Sequence, residues 1–342
     1  MIVAVCLLAY AFLLLTTGAS WLARAGWADR APRLAIAAWL ALSGSAIGSV
    51  MLGGLALVVP TGRVSYHLAG LLAACAHDVR ARYAHPGGAV LAAAGTVLAF
   101  AVAARVCWCM ARMLATTRRD GQRHCRQLRA VGRADQRLGA VVVDYGEPAA
   151  YSLPGARQPI VLTTAAIDAL DDAQLTAVLA HERAHQRGHH HLLVSVAGSL
   201  AAAFPRVPAF RCGHERVMHL VELLADDMAV KRSSRLTAAE ALLALGAPAL
   251  APPLALGASG SATGTRIRRL LRASAPLSRP RAAAGMVTLA AVLAFPFLAL
   301  SGPALTLIGT QCPDGAAASS AQQAAPGEDG HESLRRDQRA IT

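Results

Sequence analysis

Four long runs of apolar residues, in which Arg105 is the only charged side chain, divide the 342-residue chain. They extend over Ile2 to Leu22, Leu34 to Val59, Ala89 to Met110 and Met286 to Ile308. A helix of about 20 residues crosses a hydrocarbon layer about 30 Å thick, so each run is long enough to span a membrane. The first run could be a signal peptide, but no basic residues precede it, so an uncleaved span is expected.

Residues 118–281 lie between the third and fourth runs. Their apolar residues first follow the patterns of short strands and then recur at helical spacing. "LGAVVVDYGEPAAYSLPG" predicts two short strands around a turn, and "QPIVLTTAAIDAL" predicts a strand entering a helix capped by Thr163 or Thr164. "DDAQLTAVLAHERAHQRG" starts with acidic residues and keeps its apolar residues on one face, so a helix is expected to end near Gly188. These patterns predict a domain that combines helices with a few strands.

More helices are expected after this point. "LLVSVAGSLAAAF" is too short to cross a membrane and is predicted to be a core or membrane-surface helix. Helices are also expected from about Cys212 to Val230, in "TAAEALLALG" and in "TRIRRLLRAS", with a Pro/Gly/Ala/Ser-rich loop from Ala247 to Gly264. We therefore expect three transmembrane helices with their loops in residues 1–117, a domain in 118–281, a fourth span in 285–309 and a disordered polar tail in 310–342.

The composition supports membrane embedding. Hydrophobic residues make up 55% of the chain and charged residues 15%, whereas soluble domains contain roughly 25% charged residues. The formal net charge is +13, and Lys231 is the only lysine. Only 4% of the residues are aromatic and none is interleaved with a basic stretch, so direct nucleic-acid binding is not expected. The seven cysteines form no CxxC pair, which argues against a disulfide framework and a thiolate zinc site.

Arginines after the third span predict the orientation of the chain. This junction contains Arg112, Arg118, Arg119, Arg123, Arg126, Arg129, Arg133 and Arg137 against Asp120 and Asp135. Because positive charge accumulates in cytoplasmic loops, we expect the domain to lie in the cytoplasm and both termini to lie outside a multi-pass cell-membrane protein.

The sequence "HERAH" carries the candidate chemistry. Residues four apart on a helix are offset by about 40°, so His181 and His185 can bind one metal ion while Glu182 acts as a general base on a metal-bound water. The third ligand is expected to be Glu222 in "HLVELLADDMAV", with Asp226 accepting a hydrogen bond from a ligand histidine. One zinc ion per chain is predicted, although the same ligands would also accept cobalt or manganese.

Other histidines receive different interpretations. In "HERVMH", His214 and His219 are five residues apart and point about 140° away from each other on a helix, so a second metal site is not expected. His189, His190 and His191 follow the motif helix and are expected to be solvated loop residues rather than additional ligands.

The motifs "AYSLPG", "PIVLTT", "HERAH" and "ELLAD", between about Asp144 and Arg272, together resemble the gluzincin membrane peptidases. These include the HtpX-like and CAAX-prenyl endopeptidases and the BlaR/MecR-type antirepressor peptidases. Four spans with the domain between the third and fourth are similar to the BlaR/MecR arrangement. The resemblance implies a mainly α membrane protein with an α+β peptidase domain, and it implies that the strand near Ala150 to Leu153 is an edge that pairs with substrate.

The sequence also departs from these relatives. It lacks the SxxK, SDN and KTG motifs of the extracellular antibiotic sensor of BlaR/MecR-type proteins, so antibiotic sensing is not expected. Where many HtpX-like peptidases have an arginine three residues before the ligand glutamate, this chain has His219, the candidate for oxyanion stabilisation.

We therefore expect a zinc endopeptidase that cleaves a protein or peptide substrate at the cytoplasmic membrane face. Regulatory proteolysis, for example of a transcriptional repressor, is favoured by the four-span arrangement. Quality control of membrane proteins, or a catalytically inactive membrane scaffold, are the alternatives. The substrate, the activating signal and the oligomeric state do not follow from the sequence.

Overall fold

The computed structural model describes residues 1–57, 86–154, 159–246, 260–272 and 277–309. Four of its helices are long and apolar enough to cross a membrane, which confirms the prediction from the apolar runs. They are α1 (Ile2–Ala23), α2 (Pro32–Ala56), α3 (Pro86–Val131) and α10 (Arg279–Gly309). The predicted end of the second span, at Val59, and the predicted tail lie outside the described residues.

Helix α3 is much longer than a membrane is thick. Its 46 residues extend over about 69 Å at 1.5 Å per residue, more than twice the hydrocarbon thickness. The arginine-rich segment that follows the apolar run therefore continues the same helix, because it contains no proline and is rich in good helix formers. One apolar helix is thereby joined rigidly to the domain that follows it.

A four-stranded sheet follows α3, in the order β1-β2-β4-β3. The strands are β1 (Gly132–Asp135), β2 (Ala140–Val143), β3 (Ala150–Ser152) and β4 (Ile160–Thr163). Strands β2 and β4 are parallel, and the two outer pairs are antiparallel. The sequence predicted the last three strands and the position of β3 at an edge. It did not predict β1, whose residues "GRAD" show no apolar alternation.

Two helices after the sheet have the predicted caps. Helix α4 (Thr164–Ala169) is capped by Thr163, whose hydroxyl accepts a hydrogen bond from the backbone N–H of Ala166 at 3.2 Å. Helix α5 (Asp172–Arg187) begins with a capping box formed by Asp171 and Gln174, and Gly188 follows its last residue. This geometry fixes where the "HERAH" motif lies along α5.

Further helices of the domain are α6 (His190–Ala203), α7 (Pro208–Val230), α8 (Arg235–Leu245) and α9 (Gly260–Leu271). Helix α6 is apolar and has only 14 residues, which confirms the prediction of a helix too short to cross a membrane. Helix α9 begins at Gly260, so the predicted loop from Ala247 to Gly264 was wrong in its last five residues. The rest of that loop, residues 247–259, lies outside the described residues.

The second span packs directly against α7. Trp39 is 1% exposed and shares a buried cluster with Val217, Leu220 and Leu223 of α7. Gly213 makes this close packing possible, because a Cβ atom there would lie 3.1 Å from the Trp39 ring. The membrane helices and the domain therefore share one hydrophobic core, which holds α7 in place beside α5.

Candidate metal centre

Helices α5 and α7 bring three candidate ligands together. His181 Nε2 lies 3.1 Å from His185 Nε2 and 3.6 Å from Glu222 Oε2, and His185 Nε2 lies 3.5 Å from Glu222 Oε1. One candidate ligand atom from each residue lies within 4.8 Å of the other two. Helical spacing places the two histidines on one face of α5, and the shared core places Glu222 opposite them.

The distances and the donor set fit a zinc ion. Ligand atoms about 2.0–2.1 Å from a tetrahedral zinc ion are roughly 3.3 Å apart, close to the three separations measured here. Oε1 of Glu222 is buried and has no hydrogen-bond partner among the described residues. A buried carboxylate oxygen without a donor costs free energy, and a cation between it and the two histidines would remove that cost.

A second set of contacts orients these ligands. His181 Nδ1 lies 3.1 Å from Asp226 Oδ1, so Asp226 can accept its hydrogen bond, and Nε2 is left facing the cluster. The guanidinium of Arg266 donates to both Asp226 oxygens, at 2.8 and 2.6 Å, and lies 2.9 Å from Glu222 Oε2. Asp226 thus contacts both His181 and Arg266, and Arg266 fixes both carboxylates at once.

Burial and charge act against each other in this cluster. Burial lowers the pKa of His181, but hydrogen bonds to Asp226 and Glu222 outweigh burial and raise it to about 10. Burial raises the pKa of Asp226, but hydrogen bonds from Arg266 and His181 outweigh it and hold the pKa below its usual range. Burial lowers the pKa of His185 to about 3, so its ring is neutral at pH 7. Zinc binding would therefore displace a proton mainly from His181.

Glu182 lies beside the cluster and is 8% exposed. It lines a small cavity of about 70 Å³ together with His181, Glu222 and Arg266, and Ala150 of the edge strand β3 lies in the same wall. Burial raises the pKa of Glu182 to about 7, which places its proton exchange near neutral pH. A carboxyl with this pKa, next to a metal site and an open cavity, is suited to act as a general base.

His190 was predicted to be a solvated loop residue, and that prediction was wrong. The chain turns at Gly188 and at His189, which has a φ of 49°, so His190 folds back and is 1% exposed. Its Nδ1 lies 3.1 Å from His185 Nδ1. His190 therefore contacts the second ligand histidine, as Asp226 contacts the first. His189 is exposed, and His191 is partly buried.

The candidate oxyanion residue His219 does not join the cluster. Its Nε2 lies 3.6 Å from Asp29, in the connection between the first two spans. His214, the other histidine of "HERVMH", lies beside Gly198 of α6. The two side chains therefore point to different neighbours.

Arg266 and His190 are the contacts of the site that the sequence analysis missed. Arg266 shares a buried face of α9 with Thr263 and Leu270, at spacings of three and four residues. A basic residue in line with buried apolar positions was a signal that it has an acidic partner in the core. For His190, the signal was its position two residues after the helix-ending Gly188, which the histidine run concealed.

The comparisons with known proteins point to the same chemistry. Residues 117–216 match the sequence model of peptidase family M48. The match includes the sheet, α5 with its motif and α6, and it ends within α7, before Glu222. Comparisons with curated proteins and with solved structures give no match. The similarity and the four apolar helices support a membrane zinc metallopeptidase.

Proposed function

We propose that this protein is a membrane-embedded zinc endopeptidase that hydrolyses a peptide bond of a protein substrate at the cytoplasmic membrane face. The observation that carries the proposal is the convergence of His181, His185 and Glu222 within 4.8 Å, with the buried carboxyl of Glu182 beside them. The similarity of residues 117–216 to peptidase family M48 supports it.

The roles of the residues follow from their contacts. His181, His185 and Glu222 would hold the zinc ion, which supplies Lewis-acid polarisation of the scissile carbonyl and a water of lowered pKa. Glu182 accepts the proton of the attacking water and passes it to the leaving amine. Asp226 keeps the proton of His181 on Nδ1, which would leave Nε2 free to bind the ion. Arg266 positions Glu222 and Asp226.

The edge strand β3 is the proposed substrate-binding element. Ala150 lines the cavity that contains Glu182, and Tyr151 and Ser152 line a second small cavity that contains Glu182 and His185. One side of β3 pairs with β4, and the other side is an edge. An extended peptide can add to this edge by backbone hydrogen bonds and would then pass directly over the catalytic carboxyl.

The proposal gives no oxyanion role to His219, because its nearest charged partner is Asp29 and it does not line the cavity of Glu182. The chemistry of the site does not require a further side chain to bind the carbonyl oxygen, since the metal ion can supply that charge.

We further propose a regulatory role, in which the enzyme removes a repressor or another signalling protein. The arrangement of four spans with the domain between the third and fourth supports this role. The arginine-rich continuation of α3 supports a cytoplasmic domain. Such an enzyme should have one or a few substrates, whereas membrane quality control would have many.

A matched pair of variants tests the activity. The purified protein in nanodiscs is incubated with a peptide library, and the cleavage products are sequenced by mass spectrometry. Glu182→Gln should lower the cleavage rate by a factor of about 100 or more, because it removes the general base. Glu215→Gln, the same change in the similar sequence "HERVMH" at an exposed position, should cleave like the wild type.

The same pair tests the regulatory role in cells. A proteome comparison between cells with the wild type and cells with Glu182→Gln should show one or few stabilised proteins. Many stabilised membrane proteins would instead support quality control. Equal cleavage by all three proteins in the peptide assay would overturn the endopeptidase proposal itself.

A further inference from the structure

A cavity distinct from the two small ones beside Glu182 lies on another face of the motif helix α5. Its volume is about 650 Å³, and four residues of α5 at helical spacing form one wall, namely Thr176, Ala180, Arg183 and Arg187. The other walls come from the start of α2, from α6 and from the C-terminal half of α7. This volume is within the range of about 300–1,000 Å³ found for small-molecule sites.

The charge of this cavity is strongly one-sided. Arg33, Arg183, Arg187 and Arg232 line it, and among the residues that the structure describes no carboxylate does. Within the described ranges, none of these four arginines forms an ion pair. Arg183 donates one hydrogen bond to the carbonyl oxygen of Leu138, which orients its guanidinium and leaves its charge unbalanced.

Other arginines of the domain are treated differently. Arg266 pairs with Asp226 and Glu222, and Arg269 pairs with Asp227, so the packed arginines of α9 have acidic partners. Four cations around one cavity repel each other, and an anion bound among them would turn that repulsion into attraction.

The position of the cavity identifies the class of anion. Arg33 is the second residue of the membrane-spanning helix α2, so this wall lies where the chain leaves the membrane. Guanidinium groups bind phosphate oxygens through paired hydrogen bonds, and basic pockets beside membrane helices suit anionic head groups. Leu193, Leu224 and Met228 add apolar surface in the same cavity, which suits the carbon atoms that adjoin a lipid phosphate.

We propose that this cavity binds a phosphate-bearing anion through Arg33, Arg183, Arg187 and Arg232, with the head group of an anionic phospholipid as its source. The ligand would lie one side chain away from the metal cluster, because His190 lines the cavity and its Nδ1 contacts His185. This proposal does not depend on the proposed peptidase activity, since it concerns binding alone.

The test compares two double variants that lose the same charge. Arg187→Gln with Arg232→Gln removes two exposed arginines of the cavity. Arg206→Gln with Arg211→Gln removes two exposed arginines that do not line it. Native mass spectrometry measures how much phosphatidylglycerol and phosphatidylcholine each full-length protein retains from an equal mixture in uncharged detergent. A second arm measures the change in Tm with inorganic phosphate at constant ionic strength.

We expect the wild type and the control variant to retain phosphatidylglycerol in preference to phosphatidylcholine. The cavity variant should retain at least about tenfold less phosphatidylglycerol, since the loss of even one charge-assisted hydrogen bond costs roughly a factor of ten. A Tm rise with inorganic phosphate that the cavity variant lacks would show that the site also accepts free phosphate. Equal retention and equal Tm responses in both double variants would overturn the proposal.

Discussion

The Nδ1 atoms of His185 and His190 lie 3.1 Å apart in the interior of the domain. At this distance, one nitrogen carries the proton and the other accepts it. Because Nε2 of His185 faces the metal cluster, its Nδ1 must be the donor and His190 the acceptor. The two ligand histidines are thus oriented by different groups, a carboxylate for His181 and a neutral imidazole for His185.

This relationship predicts a difference between two amides at position 190. In His190→Asn the side-chain oxygen can take the place of Nδ1 and accept the bond, whereas the longer side chain of His190→Gln places its amide where Nε2 was. We expect Asn to retain near-normal zinc affinity and Gln to lose about 10–100-fold, measured by competition with a chelator. Equal affinities in the two variants would show that His190 only fills space.

Gly188 is predicted to be required by the same contact. A Cβ atom there would lie 2.4 Å from Nε2 of His190 and 2.9 Å from the carbonyl oxygen of Ala184. Gly188→Ala should therefore displace the His190 ring and destabilise the protein by about 1–3 kcal/mol, with weaker zinc binding. The control is Gly264→Ala in α9, where a Cβ meets no atom of the described part of the chain within 4 Å. Its Tm should stay the same or rise, so a similar loss in both variants would contradict the account.

Arg266 should be far more important for stability than its neighbour Arg269. Arg266→Gln removes the guanidinium that pairs with the buried carboxylates of Asp226 and Glu222, and breaking a buried ion pair typically costs about 3–5 kcal/mol. The partner of Arg269, Asp227, is 39% exposed, so Arg269→Gln should cost about 1 kcal/mol or less. The comparison is made by Tm and by zinc content. Comparable Tm losses would mean that Arg266 does not hold the carboxylates.

Glu182 is expected to destabilise the zinc-free protein. Its pKa rises from 4.5 in the unfolded chain to about 7 in the fold, so the folded state holds its proton more tightly. Stability therefore falls as pH rises from 4.5 towards 7, by on the order of 3 kcal/mol in total. Glu182→Gln removes this loss, because its amide does not ionise.

The measurement is the Tm of Glu182→Gln minus that of the zinc-free wild type, taken across this pH range. The difference should be small near pH 4.5, increase up to about pH 7 and then remain constant. Glu240→Gln, at an exposed position of α8, should show no such increase. A Tm difference for Glu182→Gln that does not change with pH would contradict the raised pKa of Glu182 in the folded protein.

Local rules predicted much of this fold from the sequence. The apolar runs identified four membrane helices, the caps identified α4 and α5, and helical spacing brought together His181 and His185. Glu222 could also be predicted, because a carboxylate surrounded by apolar residues on a helix needs a partner.

The remaining features depend on tertiary contacts. Strand β1 forms because β2 offers it an edge, although its own residues are polar and small. Arg266 reaches its partners across 40 residues of chain, and His190 reaches His185 through a turn with a left-handed residue. A local sequence pattern does not show which distant residues a side chain will contact, so these contacts are seen only in the packed structure.

The most direct test of the account is metal content, measured by mass spectrometry on the detergent-purified protein beside three variants. We predict about one zinc ion per chain in the wild type and in Glu182→Gln, and loss of zinc in His185→Ala and in Glu222→Ala. A folded wild type that contains no zinc and takes up none on reconstitution would contradict the metal centre, and the endopeptidase proposal with it.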